Sequence, residues 1–87
     1  MKILAKPIEV VSWTDTKGNI NPVRFKITKE DGSNSVVKID KVICGDIEKL
    51  AGNNMLVFRC RSVISDVERL YELKYELGTC MWMLFKI

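Results

Sequence analysis

The 87-residue sequence predicts an all-β fold: five or six antiparallel strands in a small curled sheet, barrel or sandwich, with little helix. Apolar and polar residues alternate in several short runs, which is the pattern of half-buried strands. β-Branched and aromatic residues fill these runs, and turn-forming residues separate them. No long helix stands between the runs, so antiparallel pairing is favoured over parallel crossovers.

The first two strands are predicted at residues 8–13 and 23–28. The segment IEVVSW (8–13) is rich in β-branched and aromatic residues, which suit a pleated, half-buried surface. The segment TDTKGNINP follows it and is dense in turn formers. In VRFKIT (23–28), apolar residues alternate with Arg24, Lys26 and Thr28, which predicts one buried and one solvated face.

The next strands are predicted at residues 35–44 and 55–64. Asp31-Gly32 is a strong signal for a hairpin turn, so SVVKIDKVIC (35–44) is expected to pair with the preceding strand. The segment GDIEKLAGNN (45–54) predicts either one helical turn bounded by glycines or a plain loop. MLVFRCRSVI (55–64) alternates again and predicts a further strand.

The C-terminal segment YELKYELGTCMWMLFKI (71–87) allows two interpretations. Its leucines have helical spacing, but the residues before Gly78 also alternate at the period of a strand. Gly78 favours a tight reversal, and the apolar run after it is typical of a second strand. The sequence therefore predicts a hairpin with strands at 67–77 and 80–86.

Length and composition predict one cytoplasmic domain, residues 1–87, without a linker or a repeat. No apolar run approaches the ~18 residues needed to span a bilayer. The first residues lack the apolar core of a signal peptide. Cys44, Cys60 and Cys80 are far apart, which suits neither a disulfide scaffold nor a zinc site, so we expect reduced, metal-free, buried thiols.

Motifs for catalysis are missing from the sequence. Histidine is absent, so the commonest general base and metal ligand is lacking. No glycine-rich phosphate-binding loop is present. We therefore expect a protein that is not an enzyme, with no catalytic residue, no cofactor and no metal.

Charge placement provides the most specific candidate site. If the predicted strands share a sheet, five cations could form one face: Arg24, Lys26, Lys38, Arg59 and Arg61. Such a face can hold a phosphate backbone, and exposed aromatics beside it can stack bases, with Trp13 and Tyr71 as candidates. The other interpretation is that these cations form the solvated side of a half-buried sheet and that the aromatics belong to the core.

The last predicted strand is apolar on both faces, which would promote aggregation at a sheet edge. The strand is therefore expected either to be central and covered on both sides or to meet another subunit. The candidate association surface, for a partner or for a homodimer, consists of Met81, Met83, Phe85 and Ile87. Methionine suits such a surface because its thioether adapts to different neighbours.

The order PVRFKI, VVKIDKVI, MLVFRCRS and LYELKYELGTCMWMLFKI resembles small uncharacterised bacterial all-β domains over residues 22–87. Related modules occur near the C-terminus of proteins resembling the inactive Y-family polymerases of bacterial mutagenesis. The resemblance implies an all-β fold and a link to DNA repair. Its middle segment departs from those modules, which often carry extra tryptophans and arginines, so no functional residue is transferred.

Two functions follow from these observations as expectations. The first is a small non-catalytic binding module that docks a protein partner, through an exposed strand edge. The alternative is a nucleic-acid-binding domain that uses the cationic face. Neither function requires a membrane.

Overall fold

The chain forms one antiparallel sheet of seven strands in the computed structural model, which describes residues 1–87. The strands are β1 (Ile3–Thr14), β2 (Ile20–Thr28), β3 (Asn34–Lys38), β4 (Lys41–Leu50), β5 (Asn53–Ile64), β6 (Val67–Glu76) and β7 (Met81–Lys86). Their order across the sheet is β3-β2-β1-β7-β6-β5-β4. The all-β class is confirmed, but the number of strands is seven rather than the five or six predicted.

The sheet curls into a half-barrel because β3 reaches β5, five places away in the strand order. The N–H of Ile39 donates to the carbonyl of Val23, on β2, at 3.0 Å. The N–H of the next residue, Asp40, donates to the carbonyl of Arg61, on β5, also at 3.0 Å. The chain thus passes from one end of the sheet to the other at Ile39–Asp40, which we call the corner.

The corner corrects the prediction of a single strand at 35–44. β3 pairs with β2 on one side of the corner, and β4 pairs with β5 on the other. The segment 45–54 is also strand rather than helical turn or loop, because β4 continues to Leu50. It ends in a two-residue turn, Ala51 (φ 49°) and Gly52 (φ 79°), that leads directly into β5. An Asn-Gly pair would have signalled this turn, whereas Ala-Gly does not.

The C-terminal hairpin is confirmed. β6 and β7 pair in register, with Leu73 opposite Leu84 and Tyr75 opposite Trp82. β7 is the central strand of the sheet, between β1 and β6. Its apolar character therefore belongs to the middle of the sheet and not to an edge.

The core lines the concave side of the half-barrel. It consists of seven buried apolar residues: Phe25, Val37, Phe58, Cys60, Tyr71, Leu73 and Leu84. The rings of Phe25 and Tyr71 meet edge to face, with centroids 5.5 Å apart, a favoured aromatic geometry. Only Cys60 of the three thiols belongs to this core. Cys44 and Cys80 are exposed, which corrects the prediction that all three are buried.

A buried polar link closes the seam between β3 and β5. The Ser62 hydroxyl donates to the carbonyl of Lys38 at 2.7 Å. Because that donation uses the only proton of Ser62, the Tyr71 hydroxyl donates to Ser62 Oγ. Ser62 and Tyr71 are fully buried, so each of these groups satisfies a partner that water cannot reach.

Removal of Ser62 is expected to destabilise the fold more than removal of the tyrosine hydroxyl. Ser62→Ala leaves the buried Tyr71 hydroxyl without a partner, at a cost of about 1–3 kcal/mol, and also removes the hydrogen bond to the part-buried Lys38 carbonyl. Tyr71→Phe removes one hydrogen bond and keeps the link to Lys38, at a cost of about 1 kcal/mol. Urea denaturation of both variants measures the difference. Equal losses would show that the seam does not depend on the serine.

The turn between β4 and β5 is expected to gain stability from Ala51→Asn. Alanine is strained at positive φ, whereas asparagine tolerates it and forms the preferred Asn-Gly pair with Gly52. We expect a gain of about 0.5–1 kcal/mol in the free energy of unfolding. Ala51→Val is the control and is expected to lose stability, because a β-branched residue suits this conformation least. Equal melting temperatures for the two variants would contradict the proposal that Ala51 is strained.

Candidate binding surfaces

The half-barrel has one long free edge, β4. The sheet ends in β3, of five residues, and in β4, of ten. Because the turn after β4 has two residues, Leu50 and Asn53 form a hydrogen-bonded pair. Hydrogen-bonded pairs alternate with non-hydrogen-bonded pairs along the strand. The N–H and C=O groups of Gly45, Ile47 and Lys49 therefore point away from β5. They form a row of donors and acceptors that no neighbouring strand pairs.

A cavity of about 520 Å³ separates this edge from the beginning of β2. β2 pairs with β3 only from Arg24 onward, so its first residues have no neighbour on that side. The cavity is bounded mainly by apolar side chains: Ile20, Val42, Ile47, Leu56, Phe58 and Leu77. The half-barrel thus has a lateral gap, with strand backbone on both sides and apolar side chains at its base.

Two features limit indiscriminate pairing along β4. The register shifts between Val42 and Cys44, which places a bulge at the start of the strand. The Asp46 carboxylate accepts the outward N–H of Ile47 at 2.8 Å. A strand that docks on this edge must replace that internal hydrogen bond. Ile47 itself remains 55% exposed, so the edge keeps its apolar character.

The four residues of the predicted association surface lie in different environments. Met83 and Phe85 are half-buried and border a cavity of about 390 Å³ on the convex side. Met81 is 57% exposed, whereas Ile87 packs against the core. Association through these four residues stays a prediction.

Lys74 covers Phe85 from within the chain. Its ammonium lies 3.6 Å from the centroid of the Phe85 ring and 2.8 Å from Glu48 Oε2. Lys74 is only 8% exposed, which is unusual for a lysine on a convex face. The ion pair also joins β4 to β6 across β5. This side chain, rather than another subunit, therefore covers part of the convex face of β7.

Substitution of Lys74 is expected to separate its two contributions. Lys74→Ala uncovers Phe85 and removes the partner of Glu48, whereas Lys74→Met keeps an apolar stem over the ring. We expect Lys74→Ala to lose about 1–3 kcal/mol of unfolding free energy and Lys74→Met to lose less. Urea denaturation measures both. Equal losses in the two variants would mean that the charge, and not the cover, stabilises this face.

The structure brings three of the five predicted cations together directly. Arg24 lies opposite Lys38, and Lys26 follows two residues further along β2. Lys26 forms a salt bridge with Glu9 at 2.9 Å. All three side chains face the convex side, because the residues that alternate with them, Phe25 and Val37, are buried in the core.

The other two predicted cations, Arg59 and Arg61, lie on β5. They also face the convex side, since Phe58, Cys60 and Ser62 are buried. Within the sheet, β1, β7 and β6 separate them from the first group, but the corner brings Arg61 back beside Asp40. Arg61 lies 3.9 Å from Glu68, and Arg59 is opposite Glu72 in the register.

Lys41 is a cation of this region that the sequence analysis missed. It lies directly opposite Arg61. In a single strand at 35–44, Lys38 and Lys41 would point to opposite faces, because side chains alternate at period two. The corner between them interrupts that alternation, so both lysines belong to the convex side. No signal in the sequence marks the interruption.

Of the two aromatic candidates for base stacking, one is exposed and the other is buried. Trp13 is 56% exposed and stands two residues from Val11, the neighbour of Arg24 in the register. Tyr71 is fully buried, which corrects its prediction as a stacking surface. Burial raises the pKa of Tyr71 to about 12, against the smaller opposing effect of its hydrogen bond with Ser62.

One thiol is buried, and the thiols and carboxylates form no metal-binding cluster. Burial raises the pKa of Cys60 to about 12, so this thiol is not a nucleophile at neutral pH. No group of three or more cysteine, aspartate or glutamate side chains is placed to hold a metal ion. The chain also contains no helix that could cross a membrane.

The fold and its surfaces define an all-β half-barrel with one open edge and a cationic corner. Comparison of the chain with protein-family models, with curated proteins and with solved structures finds no match. The resemblance to small bacterial β domains therefore stays a prediction.

Proposed function

We propose that the protein is a non-catalytic binding module that docks an extended segment of a partner protein along β4. The observation that carries this proposal is the free edge beside the apolar cavity. An added strand would pair with the outward backbone groups of Gly45, Ile47 and Lys49. Its alternate side chains would enter the cavity, which is how strand addition combines affinity with specificity.

The charges of β4 favour a different chain over a second copy. Regular antiparallel pairing about a two-fold axis at Asp46 places that carboxylate opposite itself. An axis at Ile47 places Asp46 opposite Glu48, and an axis at Gly45 places Lys41 opposite Lys49. Like charges directly opposite each other destabilise a strand pair. The partner that fits is an extended segment with apolar residues toward the cavity and basic residues toward Asp46.

A synthetic peptide of alternating valine and lysine, about eight residues long, tests strand addition directly. Amide hydrogen exchange by NMR is expected to show new protection at Gly45, Ile47 and Lys49 when the peptide is bound. A peptide that alternates valine with glutamate is the control and should bind more weakly, because it faces Asp46 with like charge. Binding without protection of these amides would reject the edge as the site.

Ile47→Pro is expected to abolish peptide binding while the domain remains folded. The N–H of Ile47 points away from β5, so proline removes a docking donor and keeps the β4–β5 ladder. Ile47→Ala is the matched control, because it loses the same apolar side chain but retains the N–H. Calorimetric titration compares their affinities, and circular dichroism checks the fold. If both variants bind the peptide equally well, the backbone edge is not used.

A further inference from the structure

Two pairs of like charges meet at the corner. Arg24 lies opposite Lys38, and three residues after Lys38 the chain places Lys41 opposite Arg61. Directly opposed like charges destabilise neighbouring strands, so each pair costs stability when nothing neutralises it. Two such pairs at one corner lower the stability of the free protein. A bound anionic ligand would relieve the repulsion in both pairs.

The carboxylates of the chain neutralise this cluster only in part. Arg24, Lys38 and Lys41 form no salt bridge, and Arg61 reaches Glu68 at 3.9 Å, a long contact between partly exposed groups. Asp40 lies between the two pairs in sequence and adds one negative charge, while its Oδ2 accepts the N–H of Val63 at 2.9 Å. The corner therefore retains an excess of positive charge on the convex side.

The arrangement of the four cations fits a chain of phosphates better than a single anion. Cross-strand neighbours have Cβ atoms about 5 Å apart, and the corner separates the two pairs along the chain. The cations therefore follow a path across β2, β3, β4 and β5 rather than enclosing one point. Trp13 is exposed and lies two residues along β1 from Val11, the register partner of Arg24, so a base could stack on its ring.

We propose that the corner binds single-stranded nucleic acid, with phosphates along Arg24, Lys38, Lys41 and Arg61 and a base on Trp13. A single strand fits because its unstacked bases can reach an exposed aromatic ring, whereas the bases of a duplex cannot. This binding is separate from docking on β4, since it uses side chains on the convex side and only the first residue of β4, Lys41, whereas a docked strand pairs with the backbone of Gly45, Ile47 and Lys49.

Fluorescence anisotropy with a labelled oligothymidylate of about twelve nucleotides tests the proposal. Four neutralised phosphates predict a slope of about −3 for the logarithm of the affinity against the logarithm of salt concentration. Arg24→Gln/Lys38→Gln is expected to lower the affinity at least tenfold and to reduce the slope by about 1.4. Trp13→Ala is expected to lower the affinity at least about fivefold, the value of one stacked base.

Lys17→Gln/Lys29→Gln is the matched control, because it removes the same charge from two exposed turn lysines away from the corner. It is expected to change the affinity less than twofold. Thermal melting provides the second measurement: Arg24→Gln/Lys38→Gln should be at least as stable as the wild type, because a repulsive pair is removed.

Four results would overturn the proposal. They are no binding at about 50 mM salt, equal losses in the corner variant and its control, unfolding of the corner variant, and displacement of the oligonucleotide by polyglutamate at equal charge. The last result would assign the corner to acidic protein segments instead. The valine–lysine peptide should bind the corner variant as it binds the wild type, so failure of this proposal is distinguishable from failure of docking on β4.

Discussion

Closure of the seam between β3 and β5 is the constraint on which the rest of the structure depends. Only ten of the 87 residues are buried, so the fold depends on the small apolar core that the curled sheet encloses. The Ser62 hydroxyl, held between Tyr71 and the Lys38 carbonyl, joins β5 to β3 where the curled sheet closes. A buried polar link of this kind specifies one geometry, because any other leaves its groups unpaired.

The seam also produces both candidate binding surfaces. The chain turns at Ile39–Asp40 from pairing with β2 to pairing with β5, and this turn places Lys38 and Lys41 on one side. Beyond the corner, β4 diverges from β2, and the half-barrel stays open over the apolar cavity. One change of partner strand therefore gives a closed, cationic corner and an open, apolar edge.

The exposed apolar surface of the half-barrel supports the proposed binding function. Sixteen large apolar side chains are exposed, more than twice the seven in the core. Exposed apolar surface that adjoins an unpaired strand is typical of interaction sites, which is the basis of the proposed docking on β4. Asp46, which occupies the Ile47 N–H, and the bulge near Ile43 limit that interaction to strands able to displace or avoid them.

The sequence by itself determined the all-β class and most of the strands. Alternation located β2, β5 and β6, the apolar run after Gly78 located β7, and Asp31-Gly32 and Gly78 located two of the hairpins. Only the tertiary structure decided that Tyr71 is buried and that Lys41 joins Arg61. Alternation assigns residues to one of two faces, but it does not show which face becomes concave or where a strand changes partner. Those outcomes depend on contacts between residues distant in sequence, such as Lys38 with Ser62, for which no local pattern exists.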